Sequence, residues 1–283
     1  MPTTDENDHN ELNALNMSQQ ENVQLKLVLC EDLQRMSREK LEEHITTMNA
    51  KFYTEPLKPI QMETVVSLVR GKHTFTLAGT GFGKTRIGKV YYCLFPAYRK
   101  PIVLVLNPLD SPGDNQVLEK KAVNIKAVNL TKMNLTPKIE AQVVRGGFGF
   151  FYLSPEVLLN NGMFQRVFFD CKFQSKLVLT VIDKAHMVYV WGLVASGLGK
   201  KISSHMKIQD QGIFRPSYGD LGARLLATYG VPILLLFATC QPIAIEKILN
   251  SLKILPKNME KIQGKLPGDL FGPSSNAMFS WIL

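Results

Sequence analysis

Apolar residues in this chain come in short uninterrupted runs of strand length. They are Thr74–Leu77, Pro101–Leu106, Gly149–Leu153, Leu177–Ile182 and Ile233–Ala238, with Val123–Val128 a more mixed sixth. Runs that do not alternate polar with apolar belong to strands buried on both faces, as in a parallel sheet. Helix-forming stretches lie between them, over Arg86–Tyr92 and Asn115–Lys120. This alternation predicts an α/β fold with a central, mostly parallel sheet flanked by helices and right-handed crossovers. In such sheets ligands bind at the carboxyl ends of the strands.

The flanks read differently. Residues 1–20 are Asn-, Asp-, Glu-, Gln- and Ser-rich and are predicted to be a disordered polar tail. Residues 21–50 carry spaced apolar positions (Leu25, Leu27, Leu29, Leu33, Met36, Leu41, Ile45). They are predicted to form one or two amphipathic helices, packed on the α/β domain or offered to a partner. Residues 51–255 form the α/β domain. Within it Pro59 opens a helix that runs through Val69. Residues 256–283 are read as an irregular tail.

Charge and cysteine content narrow the setting. The 33 basic against 24 acidic residues leave a net charge of +9, which suits a polyanionic partner. Cys30, Cys93, Cys171 and Cys240 lie too far apart for a zinc pattern, and the reading is of reduced thiols in the core of an intracellular protein. The N-terminus has no apolar signal-peptide core, and no run approaches the roughly 18 apolar residues that span a bilayer. The chain is expected to be soluble and intracellular.

The strand Thr74–Leu77 leads into Ala78-Gly79-Thr80-Gly81-Phe82-Gly83-Lys84-Thr85 and then into a helix. Strand, Gly-rich turn and helix opening on Gly-Lys-Thr make a phosphate-binding loop, although Ala78 stands where the general pattern has Gly. A small residue suffices there. The glycines let backbone N–H groups approach an anion, and the helix N-terminus adds partial positive charge. Lys84 can reach the β- and γ-phosphates, and the Thr85 hydroxyl can ligate Mg²⁺. A second feature is Asp183, which ends the strand Leu177–Ile182. Its carboxylate either holds Mg²⁺ opposite Thr85 or caps the strand's exit turn. Gln61, in the first turn of the helix ahead of the loop, either reads an adenine edge or is a solvated helix residue.

Asp183-Lys184-Ala185-His186 resembles the Asp-Glu-Ala-His box of superfamily 2 helicases, and the likeness extends to the RecQ-like DNA helicases. Lys58-Pro59-Ile60-Gln61 looks like their adenine-reading motif. Asn107-Pro108-Leu109 with Asp114-Asn115-Gln116-Val117 resembles Ser-Pro-Leu…Asp-Gln-Val, and Tyr152–Glu156 resembles Tyr-x-(Ser/Thr)-Pro-Glu. His186–Gly192, Phe214–Tyr218 and Phe237–Cys240 look like three further motifs, all in the family's order. The resemblance implies a first RecA-like ATP-binding domain of a 3'-5' DNA helicase, acting in DNA repair and recombination in the nucleus. It implies ATP and Mg²⁺ as cofactors and Lys84, Asp183 and His186 as catalytic residues. Nucleotide binding falls to Lys58, Gln61, Gly79, Thr80, Gly81, Phe82, Gly83, Lys84 and Thr85, and metal binding to Thr85 and Asp183. Single-stranded or fork-like DNA meets Trp191, Phe214 and Arg215, whose aromatic faces stack on bases while the guanidinium adds charge. A full-length helicase or other repair proteins are the implied protein partners, with no membrane contact.

Three departures qualify these expectations. Lys184 stands where the family has the Glu that deprotonates the attacking water, so the expectation is ATP binding with impaired hydrolysis. Residues 193–213, with Lys200, Lys201, His205 and Lys207, widen a gap that is short in the family, either as solvated surface or as a DNA-contacting loop. No second helicase domain is recognisable after Thr239, so no autonomous unwinding is expected. Two readings stand: a crippled helicase ATP-binding domain, or a non-catalytic module that binds nucleotide and nucleic acid. If residues 193–213 contact DNA, reversing the charge of Lys200 and Lys201 weakens single-stranded DNA binding and flattens its salt dependence by about one unit of slope per lost phosphate contact. A fluorescence-anisotropy titration at several salt concentrations checks this.

Overall fold

The computed structural model describes residues 26–79, 81–107, 111–185, 221–228, 230–237 and 242–264. The expected 1–20 tail, and Thr80, Pro108, Leu109, His186, Trp191, Lys200, Lys201, Phe214, Arg215 and Cys240, lie outside the described residues. Seven strands form one sheet: β1 (His73–Leu77), β2 (Ile102–Leu106), β3 (Ala127–Leu130), β4 (Phe150–Leu153), β5 (Leu177–Ile182), β6 (Ile233–Phe237) and β7 (Met259–Gln263). Their order is β3-β4-β2-β5-β6-β1-β7, and every pair is parallel. Strands β2, β4, β5 and β6 are buried at every position, as their unbroken apolar runs require.

Helices cover both faces. On one lie α1 (Glu31–Arg35), α2 (Arg38–Ala50), α3 (Pro59–Val69), α4 (Lys84–Cys93) and α5 (Ser111–Lys121). Here Leu41, Ile45, Val65, Leu68, Ile87 and Val90 pack against Val103, Val105, Leu179 and Leu234. On the other lie α6 (Pro137–Val144), α7 (Pro155–Asn160), α8 (Gly162–Phe169), α9 (Cys171–Gln174), α10 (Leu221–Leu226) and α11 (Pro242–Ser251). Phe164, Phe168 and Phe173 meet Leu104, Phe151 and Leu177 there.

Several sequence expectations change. Residues 26–30 are not helical: Leu27 and Leu29 are buried from an extended chain, and the Leu27 N–H donates to Ser175 O at 2.6 Å. The strand expected over Val123–Val128 starts only at Ala127, because Asn124 turns the chain at φ 59°. The expected irregular tail is also corrected at its start. Residues 259–263 form β7, which pairs with β1, while Glu260 bonds Lys72 at 2.9 Å and Ser67 at 3.0 Å. Only Met259 and Ile262 of β7 are buried, so this edge strand has no continuous apolar run to announce it. Cys30 and Cys171 are exposed and Cys93 is partly so, which removes the reading of these three as core thiols.

A cationic staple ties α2 and the loop after it to α4. The Arg86 guanidinium stacks 4.1 Å from the Tyr53 ring and donates to Asn49 Oδ1 at 2.7 Å and to the Glu55 carbonyl. The Lys89 ammonium lies 4.2 Å from Tyr53 and 5.0 Å from Phe52, and burial pushes it below its ordinary pKa. The rings supply the electrostatic partner that a carboxylate would supply elsewhere. Arg86→Ala removes a ring contact and leaves the buried Asn49 carbonyl oxygen short of its donors. It is expected to lower stability by about 1.5–3 kcal/mol in urea unfolding.

Candidate nucleotide site

The carboxyl ends of β1, β6, β5 and β2 stand side by side, and the candidate residues gather there. Past β1 the Ala78 N–H donates to Phe237 O at 3.0 Å, which carries the chain one step further beside β6. It then turns through Gly81 (φ 77°) and Gly83 (φ 78°), left-handed conformations that disfavour any side chain. Gly83 is the N-cap of α4. A Cβ there would also come within 2.9 Å of Gln61 Nε2, so both backbone shape and space call for glycine.

Gln61 explains that close approach. Its Nε2 donates to Phe82 O at 3.0 Å and Gly83 O at 3.1 Å, and its Oε1 accepts from Lys58 N–H at 2.9 Å. The residue is 2% exposed, so it is not a solvated helix residue. Both amide hydrogens are committed to the loop backbone, and adenine reading by this group requires that they be released. Lys58 places its ammonium 4.4 Å from the Phe82 ring, and Phe82 packs on Ile60, Ala78 and Ile262. The resemblance implies Lys58, Gln61 and Phe82 as nucleotide contacts, an expectation that their contacts in this structure leave standing. Here they brace the loop.

Lys84 folds back, with its Nζ donating to Ala78 O and Gly79 O at 2.8 Å each. Burial pushes its pKa down, while the charge of Asp183 opposes that shift. Thr85 is exposed at the start of α4. Asp183 follows β5, its N–H donating to Leu106 O at 3.0 Å. Lys84, Thr85, Gln116, Tyr152 and Asp183 all line one pocket beneath the loop. Its volume is about 20 Å³, room for about one water. Gln116 and Tyr152 were not singled out as site residues from sequence; only their places in two family-like motifs marked them.

Lys184 is exposed and left-handed at φ 50°, and its N–H donates to Asp183 Oδ1 at 2.9 Å. No carboxylate occupies this position. Among the described residues no cluster of three or more His, Cys, Asp or Glu forms a protein-only metal cage. A hydroxyl and one carboxylate beside a phosphate loop are the hard oxygen donors suited to Mg²⁺, which keeps waters and phosphate oxygens for its remaining positions. The residues present therefore fit an Mg²⁺–nucleotide.

The parallel sheet with a Gly-rich turn between β1 and α4 at its carboxyl edge is a RecA-like fold. In sequence the chain resembles RecQ-family DNA helicases. It is 28% identical over 215 residues to the RecQ-like DNA helicase blm-1 of Caenorhabditis elegans, covering 74% of this chain and 19% of that protein. It is 25% identical over 223 residues to the ATP-dependent DNA helicase RecQ of Haemophilus influenzae, covering 78% and 31%. No family model matches. In fold it resembles the crystal structure of the DUF1998 helicase MrfA bound to DNA and AMPPNP, with a TM-score of 0.55, 14% identity and coverage of 78% of this chain and 29% of that one. The chain thus spans under a third of the length of each of these relatives. Among the described residues no helix is long and apolar enough to cross a membrane.

The bracing role of Gln61 is open to test. Gln61→Leu keeps the volume but leaves the Phe82 and Gly83 carbonyls and the Lys58 N–H without their partners. Amide hydrogen exchange is expected to quicken at least tenfold over residues 81–85, while β5 stays as protected as before.

Proposed function

We propose that this domain binds Mg²⁺–ATP at the loop over residues 78–85 and links that binding to DNA, with hydrolysis slowed by the residue at 184. The observation that carries the reading is that the neighbours Lys84 and Thr85 line one pocket at the end of a parallel sheet with Asp183, which is far from them in sequence. Backbone N–H groups of the loop and the N-terminus of α4 face the phosphates. Lys84 leaves its two carbonyl partners to meet the β- and γ-phosphates. Thr85 and Asp183 would hold the metal, which would neutralise charge on the phosphates. The net charge of +9 and the DNA-bound state of the MrfA structure support DNA as the polymer partner. Trp191, Phe214 and Arg215 are the proposed contacts, and His186 is a proposed catalytic group. A full-length helicase or other repair proteins as partners, and a nuclear location, belong to the same proposal.

A non-catalytic nucleotide-binding module is the second reading, and Lys184 favours it. A charged ammonium cannot take a proton from water, and loss of a general base costs about 10²–10⁴ in rate. Purified wild type, Lys84→Ala and Lys184→Glu are to be compared for Mg²⁺–ATP binding and for phosphate release with single-stranded DNA. The expected outcome is binding by wild type and Lys184→Glu, at least a tenfold loss in Lys84→Ala, and phosphate release clearly above background only in Lys184→Glu. Release by wild type equal to that of Lys184→Glu rules out the slowing role of residue 184. Absence of binding in every form rules out the nucleotide reading.

A further inference from the structure

Beside Asp183 stands a polar side chain that neither the fold nor the proposed nucleotide contacts employ. Asn107 is the first residue past β2. Val103 and Val105 face the α4 layer, so strand alternation sends Asn107 to the same face. Leu106 is in register with Leu153 on one side and Ile182 on the other. The next residues along the three strands are therefore Ser154, Asn107 and Asp183, in a row on one face. The backbone continues the ladder at this point: Asn107 N–H donates to Leu153 O, and Asp183 N–H to Leu106 O, both at 3.0 Å.

Asn107 is 3% exposed, and both its amide nitrogen and its amide oxygen are buried without a hydrogen-bond partner. A primary amide has two donors and an oxygen acceptor, and leaving all of them desolvated and unmet opposes folding. A leucine would fill similar space without that penalty. A buried polar group left unmet in a protein calls for an explanation, and a ligand, ion or water that meets it is one. The neighbouring group here is the carboxylate proposed to hold Mg²⁺. That ion retains part of its water shell when bound through few protein oxygens, and the retained waters need acceptors fixed by the protein.

We propose that Asn107 is a positioning residue for the metal at this site, its amide engaging the water shell of the Mg²⁺ that Asp183 holds. This rests on the nucleotide-binding reading above. It assigns Asn107 to ordering the metal and not to building the fold, so removal of the amide affects the two in opposite directions.

The test compares wild type, Asn107→Leu and Asn107→Ser by thermal melting without nucleotide and by binding of a fluorescent ATP analogue, titrated with Mg²⁺ and repeated in EDTA. Asn107→Leu is expected to raise the nucleotide-free melting temperature by about 2–4 °C. It is also expected to raise the Mg²⁺ concentration for half-maximal binding about tenfold and to leave binding in EDTA unchanged. Asn107→Ser, which keeps a hydroxyl, restores most of the Mg²⁺ response. An unchanged Mg²⁺ response in Asn107→Leu overturns the inference whatever the melting temperature does. If Asn107→Leu does not fold, Asn107→Ala is read by the same titration with the same criterion. Wild type that binds no nucleotide overturns both this inference and the reading beneath it. Wild type that binds with a Mg²⁺ response indifferent to residue 107 overturns this inference alone.

Discussion

Parallel strands all finish at the same edge of the sheet, and the chemistry of this domain depends on that constraint. Side chains far apart in sequence meet at the edge without any loop having to reach across the molecule. Lys84 and Thr85 follow β1, Asp183 follows β5, and β6 lies between the two strands. Asn107 follows β2, one strand beyond Asp183. The apolar interiors of these strands, buried by helices on both faces, hold the edge rigid. An anion site made of backbone N–H groups requires that rigidity, because its donors are fixed by the path of the chain.

The loop over residues 78–85 is held by contacts from within the protein. Gln61 takes two of its carbonyls, Lys84 takes two more, and Phe82 is anchored on Ile60, Ala78 and Ile262 under the Lys58 ammonium. Lys84 stays solvated by carbonyls despite partial burial, which depresses its pKa while Asp183 works against that depression. The loop is braced by neutral and cationic contacts, and Asp183 is the carboxylate that lines the pocket.

Much of the fold was legible in the residues. The unbroken runs at Ile102–Leu106, Leu177–Ile182 and Ile233–Phe237 could not be surface strands, and the glycines at 81 and 83 marked the left-handed turn that leads from β1 into α4. The collinear RecQ-like motifs then supplied the class. What was not legible depended on half-buried or unpaired surfaces. Strand β7 has only two buried positions, so its period-two signal is too short to read. Cys30 and Cys171 looked like core residues because cysteine usually is one, and composition carries no information about which face it lies on.

The sequence by itself determined much of the local grammar: the buried strands β2, β5 and β6, the left-handed glycines after β1, and that Lys84 and Thr85 open a helix. These features arise from steric and hydrophobic preferences confined to a few neighbouring residues. Only the tertiary structure decided that Gln61 braces the loop, that Arg86 and Lys89 find their partners in aromatic rings, and that Asn107 stands unpaired beside Asp183. Those outcomes turn on which groups share a buried surface after the sheet is assembled. Hydrogen-bond satisfaction and desolvation are properties of that assembled surface, and no local pattern encodes them.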